Sequence, residues 1–195
     1  MDKLQQCAKA FEKLIDKQYH IIIGRKGKPI DINLLFEATD FHHLLGLHKL
    51  KDIEALSGKR ETVFRNILTE RTSLSMIEKS VYFNEMENRI TPFTRLEQIF
   101  DDNKFIFRYN EKQNKFSSIQ ADYLLSTPYD NTDIYIFLAQ KTQPDFFFCR
   151  SFFPKETTDY TLGQPRYTLL FKEKITIHTG QREVQYDRLS PKIKE

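Results

Sequence analysis

The sequence predicts an α+β fold in which several helices pack on a mainly antiparallel β-sheet. Apart from one short hairpin, apolar residues up to about residue 100 recur every three or four positions, which is the period of an amphipathic helix. From Lys104 onward they alternate or form short runs separated by Asn, Pro, Gly and Asp, as strands do. A helical part followed by a strand part is typical of α+β proteins.

Size and composition indicate a single folded domain over residues 1–195. The chain has no Pro/Gly/Ser-rich linker and is of single-domain length. Only 29% of its residues are charged, and 17 Phe and 9 Tyr supply much of the apolar content, so it can bury a core. No apolar run reaches membrane-spanning length, and the N-terminus carries charges where a signal peptide would be apolar. We therefore expect a cytoplasmic protein without a membrane partner.

The first elements are a helix and a hairpin. In residues 1–18 the apolar positions are spaced by three and four, which predicts a helix with one buried face. The runs 19–23 and 30–36 are apolar or β-branched and flank the basic stretch GRKGK at 24–28, the pattern of a hairpin with a basic tip. The buried helix face is expected to comprise Leu4, Cys7, Ala8, Phe11, Leu14 and Ile15.

Four helices are then expected within a helical segment of about residues 40–100, at 40–56, 61–70, 73–83 and 90–100. Capping or first-turn residues precede or open each of them, Thr91-Pro92 being one example. The antiparallel sheet is expected over about 103–178, as a meander of four or five strands, followed by a C-terminal tail. The strand-like runs are KFIFRYN, SSIQADYLLS, DIYIFLAQ, DFFFCRSFF and RYTLLFKEKITI.

Charge and cysteines constrain the chemistry only mildly. A net charge of +3 permits an anionic partner without requiring one. The tail offers cations from Lys172 to Lys194, which could bind such a partner or simply keep the surface soluble. Cys7 and Cys149 have no motif spacing, so we interpret both as buried reduced thiols.

Three of the five histidines fall within seven positions, in the stretch TDFHHLLGLHKLKDI. On one continuous helix His43 and His48 would point roughly 140° apart, and no pair has the i, i+4 spacing of a zinc site. The sequence therefore predicts that no metal is bound. His43 lies one turn from Gly46, and a glycine inside a helix costs about 1 kcal/mol relative to alanine, which invites an explanation by close approach of a ligand. A half-buried structural imidazole is the alternative for each histidine.

Several short motifs resemble known proteins. FHHLLGL (41–47) fits the pattern F-x-H-L-x-G-L, and the other matching segments are IEKSVYF (77–83), Arg89, SSIQADYLL (117–125) and FFFCRSFF (146–153). Together, over about residues 11–177, they resemble phage-associated nuclease families grouped with barnase, EndoU, colicin and RelE toxins. The resemblance implies an α+β fold, metal-independent RNA cleavage without a cofactor, and a role as a toxin or effector in conflicts between phages, other mobile elements and their hosts. An immunity protein or antitoxin is then a candidate partner.

Metal-free RNA cleavage needs a base, an acid and cations that stabilise charge on phosphorus. His43 is the candidate acid or base, because an imidazole can serve either role near neutral pH. Arg89 is the candidate phosphate clamp, with a surface salt bridge to Glu85 or Glu87 as the alternative. Lys79 and Ser80 could hydrogen-bond a phosphate, or be a solvated lysine and a packing serine.

The run DFFFCRSFF is apolar on both faces, which predicts a central strand, and strict alternation would make either Arg150 or Ser151 interrupt an apolar face. We expect Arg150 to pair with a carboxylate such as Asp122 or to face the site, where it would bind substrate. Ser151, which matches the SFF of the resemblance, is placed in the site. Further candidate substrate-binding residues are Gly46 beside His43, the cation Lys172, and three tyrosines that could stack on bases or pack in the core: Tyr109, Tyr123 and Tyr167.

Because His48 is expected to point away from His43, His43→Ala is predicted to abolish cleavage and His48→Ala to leave much of it. Gly46→Leu is predicted to block access of substrate without unfolding. The alternative to a ribonuclease is a non-catalytic RNA- or protein-binding domain of a phage or mobile element. A DNA nuclease is less favoured, because the sequence offers no Asp/Glu cluster with metal-binding spacing.

Overall fold

The structure, a computed structural model, describes residues 1–102, 105–114 and 117–191. Within these ranges it contains helices, short 3-10 turns and one large sheet. The helices are α1 (Lys3–Ile15), α2 (Asp40–Leu44), α3 (Arg60–Leu68), α4 (Leu74–Ile77), α5 (Glu87–Phe93) and α6 (Leu96–Asp101). The strands are β1 (Lys17–Arg25), β2 (Lys28–Leu35), β3 (Phe105–Arg108), β4 (Tyr123–Tyr129), β5 (Thr132–Gln140), β6 (Phe146–Pro154), β7 (Arg166–Thr176) and β8 (Arg182–Asp187).

The N-terminal helix and hairpin are confirmed. Asp2 caps α1 by accepting a hydrogen bond from the backbone N–H of Gln5 at 2.8 Å. The predicted apolar face of the helix is buried except for Ile15, which is half-buried. Strands β1 and β2 pair antiparallel around Lys26 and Gly27, whose φ angles of 52° and 75° are those of the tight turn that suits a twisted hairpin.

The helical segment is more broken than predicted. Helix α3 agrees with the expected helix at 61–70, but the one expected at 40–56 ends at Leu44 and continues as two 3-10 turns, Leu47–Lys49 and Glu54–Leu56. Gly46 causes this break: its φ of 89° is left-handed, and a left-handed glycine ends a helix. The helix expected at 73–83 is reduced to α4, and that at 90–100 is divided into α5 and α6.

The sheet closes on itself, which alternation alone did not predict. Strands β3 to β6 form the expected antiparallel meander, except that SSIQADYLLS is strand only from Tyr123. Strand β7 then pairs with both β3 and β1, and the hairpin joins β6 through a parallel contact at Asn33↔Phe146. The closed ring has the order β1-β2-β6-β5-β4-β3-β7, with β8, which was not predicted, added outside β7. Residues 103 and 104, where the sheet was expected to begin, lie outside the described residues.

Two apolar cores flank the sheet. The larger joins the helices to one sheet face and includes both cysteines, which are buried free thiols as predicted. The smaller is built on Tyr109, Leu124, Tyr135 and Phe137 on the opposite face. Between these cores β6 occupies a central position, as its apolar run predicted.

In the described part of the chain, none of the helices combines the length and apolar character needed to cross a membrane.

Candidate functional site

Gly46 brings two histidines together. After α2 ends, the left-handed glycine reverses the chain, and the imidazole of His48 stacks on that of His43 with ring centroids 4.3 Å apart and planes 21° apart. The prediction that these side chains diverge was wrong, because it assumed one continuous helix. His42 is separate from the pair: it is buried, and its Nε2 lies 3.2 Å from the carbonyl oxygen of Leu56.

The position of Gly46 also corrects its expected role. The glycine is buried, and a Cβ at this position would lie 2.9 Å from Cβ of Met86 and 3.4 Å from Cδ and Nε of Arg89. It therefore packs against α5 and the chain before it and leaves no opening for substrate. The prediction that Gly46→Leu only blocks access was wrong, because a leucine cannot fit without moving this wall.

A pocket of about 430 Å³ lies beside the stacked pair. The walls are formed by the turn after Gly46, by α5, by β6 and by the segments around 118–119 and 156–160. Lining groups that carry or can carry positive charge outnumber the carboxylates Glu85 and Glu156, which favours an anionic ligand. These basic groups are His43, His48, Lys49, Arg89 and Arg150.

Arg89 is the buried cation of this pocket. It is 9% exposed, and its Nη1 donates to the carbonyl oxygen of Leu44 at 3.1 Å. The guanidinium carbon lies 5.5 Å from the centre of the Phe153 ring, while Nε has no hydrogen-bond partner among the described residues. Burial lowers the pKa of Arg89 to about 10, so the group remains cationic at neutral pH. The alternative of a surface salt bridge is wrong, because the side chain is buried.

A β-bulge in β6 places Arg150 and Ser151 in the same pocket. Phe137 of β5 is opposite Ser151, but the next residue of β5 is opposite Cys149, so Arg150 is the extra residue. The bulge shifts the alternation, and both polar side chains line the pocket while Cys149 and Phe152 remain in the core. Neither therefore interrupts the core face. Asp122, the expected carboxylate partner of Arg150, pairs instead with Arg108 at 3.2 Å.

The rim is held by hydrogen bonds between segments. Nζ of Lys49 donates to the carbonyl oxygen of Glu85 at 2.7 Å. The side-chain amide of Asn88 donates to the carboxylate of Glu156, which ties α5 to the segment after β6. These bonds fix the two sides of the pocket relative to each other.

Both imidazoles of the stacked pair are poised as proton acceptors. Burial lowers the pKa of His43, the charges of Arg150 and Arg60 lower it further, and a hydrogen bond to the backbone of Arg150 opposes the shift. Although His48 is exposed in part, desolvation of its ring lowers its pKa to about 4, with the adjacent His43 and Arg89 adding to the effect. An anion bound among these groups would raise both pKa values, because it favours the imidazolium form.

Other predicted residues lie elsewhere. Lys79 is exposed and does not line the pocket. Ser80 is buried: its hydroxyl donates to Asp52 at 2.5 Å and accepts from the N–H of Tyr82 at 3.1 Å, so the structure supports the alternative of a packing serine. Lys172 is also buried and caps the end of α6, donating to the carbonyl oxygens of Phe100 and Asp101, which removes it from the substrate surface.

The three tyrosines are occupied by the protein itself. Tyr109 is buried edge-on against Phe137, with ring centroids 4.9 Å apart. Tyr123 is buried, and the guanidinium carbon of Arg108 covers its ring at 5.0 Å. Tyr167 lies beside Arg25, on the far pocket that also contains Lys172. None of them lines the His43 pocket.

Sequence reasoning missed several residues of the pocket, above all His48. A signal for His48 was present: Gly46 follows an apolar helical turn, and a glycine at that position commonly ends a helix in the left-handed conformation. Asn88, Glu156 and Tyr160 also line the pocket and had no distinguishing pattern, because only the tertiary fold brings their segments to it.

Among the described residues, no three His, Cys, Asp or Glu side chains form a group suited to a metal ion. The absence of a bound metal stays a prediction.

A protein-family model matches the chain. The family model described as phage-Barnase-EndoU-ColicinE5/D-RelE like nuclease4 matches residues 3–189, nearly the whole chain. No curated protein and no solved structure matches the chain.

Proposed function

Because the chain belongs to the phage-Barnase-EndoU-ColicinE5/D-RelE like nuclease4 family, we propose that it is an endoribonuclease that cleaves RNA without a metal ion in the pocket of His43, His48 and Arg89. The observation that carries this proposal is the stacked imidazole pair beside a buried guanidinium group whose Nε lacks a protein partner. A buried cation beside two imidazoles favours an anionic ligand in the pocket that they line.

The residues support cleavage by the 2′-hydroxyl of RNA. A neutral His43 accepts the proton of that hydroxyl while the 2′ oxygen forms a bond to phosphorus. The bond from phosphorus to the 5′ oxygen breaks, and the leaving oxygen takes a proton from His48, whose imidazole becomes protonated when the phosphate binds. The products are a 2′,3′-cyclic phosphate and a 5′-hydroxyl. The two histidines can exchange these roles.

Cations hold and stabilise the phosphate. Arg89 lines the pocket and can stabilise the charge on the reacting group through its guanidinium, and Arg150 can reach the same group from β6. Charge stabilisation by positioned donors in a pocket with restricted water is often the largest contribution to such catalysis. DNA lacks the 2′-hydroxyl, so this donor set favours RNA as substrate.

The biological role we propose follows the family's description as phage nucleases. The protein acts in the cytoplasm as a toxin or effector in conflict between a phage or mobile element and its host. An immunity protein or antitoxin that covers the cationic pocket is the corresponding partner.

The proposal is tested by incubating purified protein with single-stranded RNA and with DNA of the same sequence, both in EDTA. RNA should be cut to fragments with cyclic phosphate ends, and the DNA should stay intact. His43→Ala and His48→Ala should each slow cleavage by roughly 10²- to 10⁴-fold, the usual loss for a proton-transfer group.

The matched control is His178→Ala, because His178 is exposed and pairs with Asp16 away from the pocket. It should cleave like the wild type, and circular dichroism should confirm that all variants fold. RNA binding without cleavage by the wild type would identify a binding domain instead. Cleavage that requires a divalent metal would refute the mechanism.

A further inference from the structure

Arg150 separates the proposed catalytic pocket from a second, larger cavity of about 760 Å³. This second cavity, the flanking cavity, is lined among others by Arg108, Lys112, Phe148 and Arg150. Its volume lies within the roughly 300–1,000 Å³ typical of sites for small ligands. Because Arg150 lines both spaces, a polymeric ligand that passes over this residue would occupy both the pocket and the cavity.

The floor of the flanking cavity presents an aromatic side chain. Phe148 is half-buried on the sheet face opposite the main core, between the buried residues Phe147 and Cys149. Its neighbour on β5 is Ala139, and Ala121 also lines the cavity. With small residues beside it, the Phe148 ring is not covered by a second large side chain from these positions, which suits the stacking of a planar base.

The charges around this floor suit a polyanion. Asp122 is already engaged, with one carboxylate oxygen paired with Arg108 at 3.2 Å and the other accepting from the N–H of Gln140 at 2.9 Å. Glu111 is the remaining carboxylate of the lining, which also contains the cations Lys112 and Arg150. The bulge leaves Arg150 exposed and without a carboxylate within 4 Å in the described chain, so it can bind phosphate on the path between the two spaces.

We propose that the flanking cavity binds the nucleotide attached to the scissile phosphate, with its base on Phe148 and with Arg150 beside that shared phosphate, at the boundary of the two spaces. The inference rests on the proposed function for the identity of the reacting phosphate. It makes the substrate single-stranded at this position, because a paired base could not enter the cavity and lie on the ring. Phe148 takes the stacking role predicted for Tyr109 and Tyr123. Tyr109 also borders this cavity but is buried edge-on against Phe137, and Arg108 covers the ring of Tyr123.

Binding is measured with single-stranded RNA oligonucleotides that carry a 2′-deoxy sugar at the cleavage position and therefore stay intact. Affinity should rise with length from two to six nucleotides, and Phe148→Ala should reduce this gain by about 10-fold, within the range of a single base stack. Phe148→Leu keeps apolar volume without an aromatic face and should reduce the increase in affinity with length as much as Phe148→Ala does. Phe148→Tyr keeps an aromatic face and should show the wild-type increase.

A second arm removes the base. An abasic nucleotide placed on either side of the cleavage position should weaken binding at one of the two positions. Phe148→Ala should not weaken binding further at that position, because the abasic nucleotide and the substitution remove the same stacking contact. The control variant is Phe171→Ala, which removes a half-buried aromatic ring on β7 that contacts His20. It should retain the full gain in affinity with oligonucleotide length.

The two proposals fail differently. If the wild type cleaves RNA but Phe148→Ala retains the full gain with length, the flanking cavity is not a nucleotide site and the nuclease proposal stands. If no RNA is cleaved but the gain depends on the Phe148 ring, the binding site stands and the catalytic proposal falls. Additive losses from the abasic nucleotide and Phe148→Ala would overturn the stacking contact.

Discussion

Replacing Gly46 by alanine tests whether this one residue shapes the catalytic pocket. The φ angle of Gly46 is 89°, and an added Cβ would lie 2.9 Å from Cβ of Met86 and 3.4 Å from Arg89. The first contact joins two atoms fixed close to the backbone, so it can be relieved only by a shift of the chain around Met86, which immediately precedes α5. Arg89 would move with that helix.

The expected cost has two parts. A non-glycine residue in the left-handed region costs about 1–2 kcal/mol, and overfilling a packed interior adds about 1–3 kcal/mol. Gly27 provides a matched comparison, because its φ is 75° and a Cβ there would meet nothing within 4 Å. Gly46→Ala should therefore lower the free energy of unfolding by about 2–5 kcal/mol. Gly27→Ala should lower it only by the cost of the left-handed backbone, about 1–2 kcal/mol.

Urea unfolding followed by circular dichroism measures both changes. The difference between the two variants isolates the crowding against Met86 and Arg89, and it should be about 1–3 kcal/mol. Gly46→Ala should also cleave RNA more slowly under conditions where it is folded, whereas Gly27→Ala should not. Equal losses of stability in the two variants would refute the close packing of Gly46 and with it the shaping of the pocket.

Three further outcomes are expected. In an NMR titration of the free protein His48 should titrate near pH 4, and inorganic phosphate should raise the midpoint. Because the pKa of histidine in the unfolded chain is about 6.5, the free energy of unfolding should decrease as the pH falls from about 6.5 towards the lower pKa of the folded protein. The variant His48→Gln should lack this part of the pH dependence. Ser80→Ala should lower the melting temperature by a few degrees, since Asp52 loses its hydroxyl donor, while cleavage per folded molecule stays unchanged; a large fall in rate would return Ser80 to the mechanism. Arg89→Lys should slow cleavage by roughly 10²- to 10³-fold, because a lysine cannot bond the carbonyl of Leu44 and also offer a planar fork of donors; a wild-type rate would exclude Arg89 from contact with the phosphate.

Periodicity predicted the elements whose contacts are local or whose exposed faces are regular. Helix α1 and the β1–β2 hairpin appear where their apolar spacing and turn residues placed them, and so do the strands of the meander. The closure of the sheet could not be obtained in this way. Pairing of β1 with β7 joins residues that are far apart in the sequence, from Gly24 and Thr168 to Lys17 and Thr176. Alternation along a strand does not identify the strand that pairs with it.

His43, Arg89 and Ser151 were candidates from the sequence and line one pocket, but the sequence did not predict how they are arranged in it. The predicted direction of His48 depended on the rotation of about 100° per residue in an α-helix. That rotation does not apply beyond Gly46, where the left-handed backbone ends the helix. Glycine costs a helix about 1 kcal/mol, which is small against the packing of a buried face. From sequence alone, the choice between a tolerated interior glycine and a helix end therefore depends on tertiary contacts such as those of Met86.

The bulge at Arg150 shows the same limit in a strand. Strict alternation required either an arginine or a serine to be buried in an apolar face of the strand, and both are unfavourable. Both alternatives assumed a strand without an extra residue. Burying an unpaired arginine would cost far more than losing one pair of ladder contacts, so the bulge is the cheaper solution to a polar pair within an apolar run. A regular strand would send Arg150 and Ser151 to opposite faces. The bulge instead brings both to the proposed catalytic pocket and leaves Arg150 at the boundary of that pocket with the flanking cavity. A polar dipeptide in the middle of an otherwise apolar strand is therefore better interpreted as a candidate bulge facing a site than as an interruption of the core.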